Sequence, residues 1–332
     1  MSIKLSRRRF ITLAATAVGL PLLLKMAPAQ ARMARWEGTA LGAPASIQLF
    51  HADEAQAQTA IAAAVEELKR LEAIFSVYRA DSAISTLNRN GVLENAPQDM
   101  LAMTARALSL AQISGGVYDP TIQPLWQTYF RHFTATAPDA AGPSAADIAA
   151  ARELVDWRAV ELDAANRRIA FARPGMGLTL NSGAQGYITD RVADVLRAHG
   201  FDSMLVDMGE PRALSAKPDG SAWRIAIANP ADPTSTVATL DVVNQCVSTS
   251  GGYGTLFDPA GKFTHLIDPR TGLTAPALLG VSVVADLGAI ADGLSTAMLL
   301  APVERRQEIL RAAGGQKALY VTPDGVSATV TA

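Results

Sequence analysis

Three side chains capable of acid–base and anion chemistry lie within one short segment, residues 264–272. His265 supplies an imidazole, Asp268 a carboxylate and Arg270 a guanidinium, on a predicted strand that runs into a Pro/Gly turn. An imidazole titrates near neutral pH and can accept a proton during a reaction. A guanidinium binds phosphate groups through two parallel hydrogen bonds. The segment therefore predicts chemistry on an anionic, phosphate-like substrate.

A second segment, residues 291–297, adds two oxygen ligands. Asp292 and Thr296 are four residues apart, so they share one face of the helix that is predicted here. Carboxylate and hydroxyl oxygens are hard ligands of the kind that Mg²⁺ takes in proteins. Together with the first segment, this pair predicts a cation-assisted reaction at a phosphate or pyrophosphate.

Each of these assignments has an ordinary structural alternative that the sequence leaves open. His265 could be a buried histidine beside a turn. Arg270 could pair with Asp268 across the turn instead of with a phosphate, and Asp268 could either orient the imidazole or hold the loop. Asp292 could be a helix N-terminal carboxylate that the helix dipole stabilises.

The first residues form the pattern of an export signal. Ser6–Ile11 contains a run of arginines, the apolar stretch Phe10–Leu24 follows, and Ala29–Ala31 has the small residues of a cleavage site. We expect residues 1–31 to be a cleaved twin-arginine signal peptide and the protein to be periplasmic in a bacterium; an uncut signal anchor is the alternative. Residues 32–332 then suffice for one large domain without a stable membrane span.

The composition excludes several other functions. The chain of 332 residues has a formal net charge of −2, so it lacks the basic balance that is typical of nucleic-acid binding. The sequence contains neither a glycine-rich dinucleotide fingerprint nor a phosphate loop, and its four histidines are too scattered for a zinc site. The single cysteine, Cys246, is expected to be a buried structural thiol in an apolar run.

The elements that must position these side chains do not alternate strictly between strand and helix. A hairpin is predicted over residues 36–49, and a long amphipathic helix over 53–75, because apolar residues recur there at steps of three and four. Several strands are connected as hairpins, so we predict an α+β fold of mixed, largely antiparallel sheets flanked by helices. Further strands are predicted near 160 and 169 and at 203–207, 223–228, 237–243, 265–267, 280–284, 318–321 and 327–330, further helices before 90 and at 98–113, 145–155, 184–199, 290–300 and 303–313, and a surface loop at 135–144.

Six segments, in one consistent order, resemble the signature segments of a single protein family. They are Phe75–Ser82, Ser114–Thr121, Gly183–Tyr187, Ser248–Gly251, His265–Gly272 and Ala291–Ala297. Together they resemble the ApbE family, the FAD:protein FMN transferases. Gln185, where many members have lysine, and Met208–Glu210 further along resemble most the NosX branch, which is linked to maturation of nitrous oxide reductase.

The resemblance implies a reaction and a metal site. FAD is cleaved at its pyrophosphate, FMN is attached through a phosphoester to a threonine or serine of an acceptor protein, and AMP leaves. Mg²⁺ would be held by Asp292, Thr296 and the backbone carbonyl of Ala184. His265 is the expected base, with Asp268 as the second catalytic residue. A cation suits this chemistry because the pyrophosphate charge repels an incoming hydroxyl.

The resemblance also implies the residues that contact FAD. Tyr78 is the candidate aromatic face against the flavin ring, with ordinary packing as the alternative. The Ser248–Gly251 segment could cradle phosphates, or it could be a plain junction between a strand and a turn. The complete set of residues expected to bind FAD is Tyr78, Asp119, Gln185, Asp207, Glu210, Ser250, His265 and Arg270.

The sequence departs from the family pattern at three positions, one of which is Ser182 in place of a common glycine, and it leaves other functions open. Gly183 stands where isoleucine is usual, and Glu210 where many members have a second glycine, so nucleotide contacts could differ. The expected acceptor is an exported or membrane-bound protein, with an FMN-binding respiratory protein as the candidate. The alternatives are a Mg²⁺-dependent FAD pyrophosphatase that gives free FMN and AMP, and a periplasmic FAD carrier without chemistry.

Overall fold

The hairpin at the start of the described chain forms one edge of the main sheet. The computed structural model describes residues 32–332, so the predicted signal peptide over residues 1–31 lies outside the described residues. Strand β1 (Arg32–Ala40) pairs with β2 (Ala43–His51) in antiparallel register. The two turn residues have φ angles of +48° and +82°, which is the backbone of a type I′ turn whose twist matches the strands that it joins. The predicted hairpin is confirmed.

The rest of the chain forms further strands, α-helices and short 3₁₀ turns. The strands are β3 (Val92–Leu93), β4 (Val160–Asp163), β5 (Arg168–Phe171), β6 (Met204–Asp207), β7 (Pro211–Leu214), β8 (Trp223–Ala228), β9 (Thr236–Val242), β10 (Gln245–Gly251), β11 (Gly280–Ala285), β12 (Gly315–Thr322) and β13 (Gly325–Thr331). The helices are α1 (Glu54–Phe75), α2 (Ala83–Asn90), α3 (Gln98–Ser114), α4 (Gln123–Thr134), α5 (Ala145–Arg152), α6 (Asn181–Ala198), α7 (Gly288–Leu300) and α8 (Arg306–Ala312).

The main sheet has eight strands in the order β1-β2-β6-β7-β10-β11-β12-β13. Every neighbouring pair in it is antiparallel. A three-stranded sheet, β3-β5-β4, and the hairpin β8-β9 stand beside it. Helices and antiparallel strands are therefore segregated in the way that defines an α+β fold. The predicted fold class is confirmed.

Strand β10 separates two cores, because successive side chains of a strand point to opposite faces of the sheet. Cys246 belongs to the apolar cluster that includes α7. Val247 belongs to the cluster on the other face, which the β8-β9 hairpin covers. Ser248 and Ser250 follow the parity of Cys246, so they face α7. Cys246 is fully buried, as the sequence predicts.

Helices α6 and α7 approach each other closely at two glycines. A Cβ atom on Gly186 would lie 2.1 Å from the carbonyl oxygen of Gly288, so no larger residue fits at this crossing. Asp190 of α6 accepts hydrogen bonds from the N–H groups of Gly288 (2.8 Å) and Ala289 (3.0 Å), and Arg212 of β7 donates to the same carboxylate (2.8 Å). The start of α7 is thus fixed by α6 and by the sheet.

Most predicted elements are confirmed within one turn or a few residues, and four are missed. Helix α1 begins after Asp53, whose side chain accepts from the Gln56 N–H and caps the helix. The sequence pattern does not predict α4, β3, β7 or β10. Within residues 32–332, none of the helices has both the length and the hydropathy that a transmembrane span requires.

Candidate active site

A cavity of about 500 Å³ opens between the β1-β2 hairpin, the start of α6, the end of β10 and one face of α7. Its walls bring together side chains that are far apart in the sequence. The predicted site residues that line it are Tyr78, Gln185, Asp207, Glu210, Ser250, His265, Asp292 and Thr296. Ala184, Asp119, Asp268 and Arg270 lie outside these walls.

Asp292 and Thr296 lie on the face of α7 that borders the cavity, as their spacing predicts. Both are largely buried, with 4% and 8% of their surface exposed. Oδ2 of Asp292 accepts a hydrogen bond from the Gly186 N–H at 3.0 Å. Burial raises the pKa of Asp292 to about 7, because a desolvated carboxylate is disfavoured relative to the acid. The carboxylate lies at the point where α6 restarts after its break, and not in the first turn of α7. The alternative of a helix N-terminal carboxylate therefore stays open, with α6 as the helix.

Ser250 joins the cavity wall to α7 through two short hydroxyl contacts. Its Oγ lies 2.8 Å from Oγ1 of Thr296 and 2.7 Å from Oγ of Ser295. Ser295 in turn donates to the backbone carbonyl of Asp292 at 2.8 Å. These bonds hold the end of β10 against the helix that carries the two predicted cation ligands.

The donor set at this corner fits a hard cation. The helix α6 is broken at Ser182 and at Gly183, where φ is +147°. Ala184 follows this break directly, and it precedes by two residues Gly186, whose N–H donates to Asp292. A carboxylate, a hydroxyl and a carbonyl of this loop are oxygen ligands that suit Mg²⁺, which retains several waters and needs few protein groups. Within residues 32–332 there is no cluster of three or more His, Cys, Asp or Glu side chains arranged for a metal.

His265 borders the cavity with a defined ring orientation. Its Nδ1 lies 3.1 Å from the carbonyl oxygen of Thr255, and a carbonyl can only accept, so Nδ1 carries the proton. The neutral ring then presents Nε2 as its proton-accepting nitrogen. A Cβ atom on Gly254 would lie 3.2 Å from Cε1 of this ring, so the glycine lets the backbone pass close to it. The imidazole is half-buried on the cavity wall and is not packed in a core.

The turn after His265 differs from its sequence prediction. Residues 265–267 are not a strand: they form bends with an isolated bridge between Ile267 and Thr274. The carboxylate of Asp268 accepts from Nε and Nη2 of Arg270 at 2.9 and 2.7 Å, and Arg270 also donates to the Leu300 carbonyl at 3.3 Å. The structure favours the open alternatives in which Arg270 pairs with Asp268 and Asp268 holds the loop.

Two further carboxyl groups border the cavity on the side of β6 and β7. Asp207 accepts from the Gly209 N–H at 2.9 Å, and burial raises its pKa to about 6. Glu210 accepts from the Thr249 N–H at 3.3 Å. Burial, together with the nearby charge of Asp292, raises the pKa of Glu210 well above its usual value. Acidic groups thus face the cavity beside the predicted cation site.

This geometry can be compared with known proteins. A model of the ApbE family matches residues 41–320. The chain belongs to the ApbE family. A FAD:protein FMN transferase of Treponema pallidum is 32% identical over 290 residues, which cover 79% of this chain and 78% of the relative. A FAD:protein FMN transferase of Klebsiella pneumoniae is 29% identical and covers 88% of this chain and 90% of its own length.

Solved structures of the family share this fold. The apo form of the flavinyl transferase ApbE of Pseudomonas stutzeri superposes with a TM-score of 0.75 at 29% identity, over 92% of this chain and 97% of that one. The ApbE protein of Thermotoga maritima superposes with a TM-score of 0.77 at 23% identity, over 91% of this chain and 97% of the other. The second likeness shows the fold alone.

In this ApbE member, Tyr78 and Asp119 have different surroundings. Tyr78 lies at the mouth of the cavity with 57% of its surface exposed, so the alternative of ordinary packing is not supported. Asp119 accepts from the N–H and hydroxyl of Thr121 and from the Trp157 N–H, at 2.6–3.1 Å. These three bonds occupy its carboxylate in holding a loop, and burial raises its pKa.

Sequence reasoning missed Ser295 and Gly186 as parts of this site. Both lie within ApbE signature segments, but neither residue type indicates chemistry by itself. A signal for Ser295 was present: it is three residues after Asp292 and one before Thr296, so it lies on the flank of the helix that faces the sheet. Recognising its role required knowing that β10 is the neighbouring strand.

Proposed function

We propose that this chain transfers FMN from FAD to a threonine hydroxyl of an exported or membrane-bound acceptor protein, with Mg²⁺ as the required cation and AMP as the leaving product. At the coarser level the chain is an enzyme, a FAD:protein FMN transferase like its ApbE relatives. The observation that carries the finer proposal is the meeting of Asp292, Thr296 and His265 in one cavity.

The cation would be held by the Asp292 carboxylate, the Thr296 hydroxyl and the Ala184 carbonyl. When bound, Mg²⁺ supplies positive charge that offsets the charge of the pyrophosphate. The buried, raised pKa of Asp292 supports this role, because a desolvated carboxylate gains most from a cation nearby. Ligands on two different helices keep this charge at a fixed place relative to the cavity.

His265 would accept the proton of the attacking hydroxyl at Nε2, since Nδ1–H is committed to the Thr255 carbonyl. The threonine oxygen forms a bond to the phosphorus of the FMN half, and the bond from that phosphorus to the bridging oxygen breaks. The electron pair leaves with AMP, and the proton moves to the imidazole. The reaction is a phosphoryl transfer in which positioning and charge do most of the work.

FAD would lie along the cavity with its flavin ring at the mouth. The exposed ring of Tyr78 supports a stacking contact there. Asp207 and Glu210, which also line the cavity, would then lie beside the nucleotide half, where a carboxylate can accept from ribose hydroxyls. Gln185 and Ser250 also line the cavity. The roles of Asp119, Asp268 and Arg270 in this proposal are to hold the loops that surround the cavity.

The proposed setting is the bacterial periplasm, in the maturation of nitrous oxide respiration. The twin-arginine pattern within residues 1–31 supports export. The glutamine at position 185 and the Met208–Glu210 segment support the NosX-like assignment. An FMN-binding respiratory protein with an exposed threonine is the acceptor that fits this setting.

The test is an acceptor-labelling assay with the purified chain, FAD, MgCl₂ and an FMN-binding acceptor domain. A mass gain of one FMN on the acceptor, with release of AMP, is expected. An acceptor whose target threonine is replaced by alanine is the matched control and should stay unlabelled. Free FMN with no labelled acceptor would instead establish the pyrophosphatase, and unchanged FAD would establish the carrier. Omission of Mg²⁺ should abolish labelling, and undiminished labelling in EDTA would contradict the metal site.

A further inference from the structure

We propose that Ser250 and Ser295 are positioning residues that turn the proton of the Thr296 hydroxyl away from the cation site, so that its lone pairs face the cavity. This inference rests on the proposed metal site, and it assigns the buried Ser295 a role in it. Hydroxyl groups rotate freely, and each has one proton and two acceptor lone pairs. Which of these faces a cation decides whether the hydroxyl is a ligand or a source of repulsion.

The direction of the hydroxyl chain follows from its last acceptor. Oγ of Ser295 lies 2.8 Å from the backbone carbonyl oxygen of Asp292. A carbonyl oxygen can only accept, so the single proton of Ser295 is committed to this bond. Ser248 lies at 3.5 Å from the same Oγ, at the limit of hydrogen-bond distance, and its hydroxyl also bonds to the Glu210 carboxylate, so it does not take the proton of Ser295.

The two remaining contacts then have only one consistent assignment. Ser250 lies 2.7 Å from Ser295, whose proton is already used, so Ser250 must donate. Thr296 lies 2.8 Å from Ser250, whose proton is now also used, so Thr296 must donate. The protons therefore run in one direction, from Thr296 to Ser250, from Ser250 to Ser295, and from Ser295 to the carbonyl of Asp292.

This polarity prepares Thr296 for a cation before any cation arrives. Its proton points to β10, and its lone pairs remain on the side of the cavity that it lines. Ser295 is fully buried and does not border the cavity, so it acts only through its neighbours. The row of hydroxyl hydrogen bonds also ends on the backbone carbonyl of Asp292. The carboxylate of the same residue is the other proposed ligand. One network therefore sets the hydroxyl and supports the carboxylate.

The test is Mn²⁺ binding to the full chain without FAD, measured by isothermal titration calorimetry for the wild type and Ser295→Ala. Alanine is the strongest helix former and removes one oxygen from a buried site, so the fold should persist. Without Ser295, the proton of Ser250 turns to Thr296, and the proton of Thr296 turns to the cavity. We expect Mn²⁺ affinity to fall roughly 10- to 100-fold, the usual effect of losing a group that orients a metal ligand.

A matched control breaks a similar pair of hydroxyl groups that does not belong to the hydrogen-bonded row of Thr296, Ser250 and Ser295. Ser282→Ala deletes a buried serine on β11 whose Oγ lies 2.8 Å from the hydroxyl of Thr249, on the opposite face of β10. Its Mn²⁺ affinity should stay within about twofold of wild type. An equal loss in Ser282→Ala and Ser295→Ala would mean that both act through general packing, and would overturn the inference.

A double variant tests whether the serines act as one unit. The double variant Ser250→Ala/Ser295→Ala should bind Mn²⁺ no more weakly than the worse single variant, because either substitution already interrupts the row of hydroxyl hydrogen bonds. Additive losses of affinity would argue against the proposed order of the protons. The wild type separates this inference from the proposed function. If the wild type binds no Mn²⁺, the metal site itself fails. If it binds and Ser295→Ala binds equally well, only the role of the serines fails.

Discussion

Replacing Asp292 by asparagine should make the metal-free protein more stable and the enzyme inactive. Asparagine keeps the size of the side chain, and its one carbonyl oxygen can still accept from the Gly186 N–H, which lies 3.0 Å from Oδ2 in the wild type. The N–H groups of Gly183 and Gln185, which also bond to this carboxylate, would share that oxygen, and this offsets part of the gain in stability. What disappears is a charge that has 4% of its residue surface exposed and that lies near the buried Glu210. The substitution therefore separates the packing of this side chain from its ability to attract a cation.

The size and sign of the effect follow from the pKa of Asp292, which burial raises from 3.8 to about 7. Each pKa unit corresponds to about 1.4 kcal/mol, so the buried charge costs the folded wild type on the order of 4–5 kcal/mol. Because the folded pKa is the higher one, this cost is absent below about pH 4, grows as the pH rises to 7, and is constant above it. The asparagine variant should match the wild type near pH 4 and exceed it at pH 8.

The assay is urea unfolding in EDTA at pH 4, 6 and 8, followed by the same series in Mg²⁺. Saturating Mg²⁺ should stabilise the wild type, by about 2.7 kcal/mol at a hundred times the Kd, and leave Asp292→Asn unchanged. Acceptor labelling by the variant should be lost at every pH. A variant that is less stable than the wild type at pH 8 in EDTA would refute the reasoning, since the carboxylate would then be stabilised by its surroundings.

Three further outcomes follow from single residues. His265→Ala should slow labelling by roughly two to four orders of magnitude, the usual contribution of a general base, with FAD affinity nearly unchanged in a fluorescence titration; an unchanged rate would assign the proton to another group. Gly186→Ala places a Cβ 2.1 Å from a backbone oxygen and should destabilise the protein by about 3 kcal/mol or more in urea unfolding; a shift below 1 kcal/mol would show that α6 and α7 can separate. Cys246 is fully buried, and burial raises its pKa, so a thiol reagent at pH 8 should modify it only after unfolding; rapid labelling of the native chain would contradict its place in the core.

Local sequence signals predicted the elements that depend on local chemistry. The Asp53 cap and the apolar repeat of α1 are contained within the helix itself, and the turn between β1 and β2 is set by two residues with positive φ. The α+β class followed from hairpin spacing. The strand predicted at 265–267 was wrong because its extended residues bond to isolated partners, Thr255 and Thr274, and not to a ladder.

The candidate site was predictable only where its spacing lies within one element. Asp292 and Thr296 share a helix face, and the four-residue spacing places them together. The orientation of His265 depends on the carbonyl of Thr255, and the role of Ser295 depends on a strand 45 residues earlier in the chain. For Arg270 the residue type suggested a role that the structure does not support. Its guanidinium forms an ion pair with Asp268 and closes the turn, although an arginine is also suited to binding phosphate.

The mutual support of α6 and α7 has a consequence for the order of folding. Asp190 satisfies the first amides of α7 from 98 residues away, and Asp292 reaches the early amides of α6 from 106 residues away. The N–H groups at the start of each helix lack these carboxylate partners until α6 and α7 have packed together. This corner therefore forms only after contacts between residues about a hundred positions apart have been made. A chain that has closed only one of these two contacts therefore has an incomplete wall on this side of the cavity.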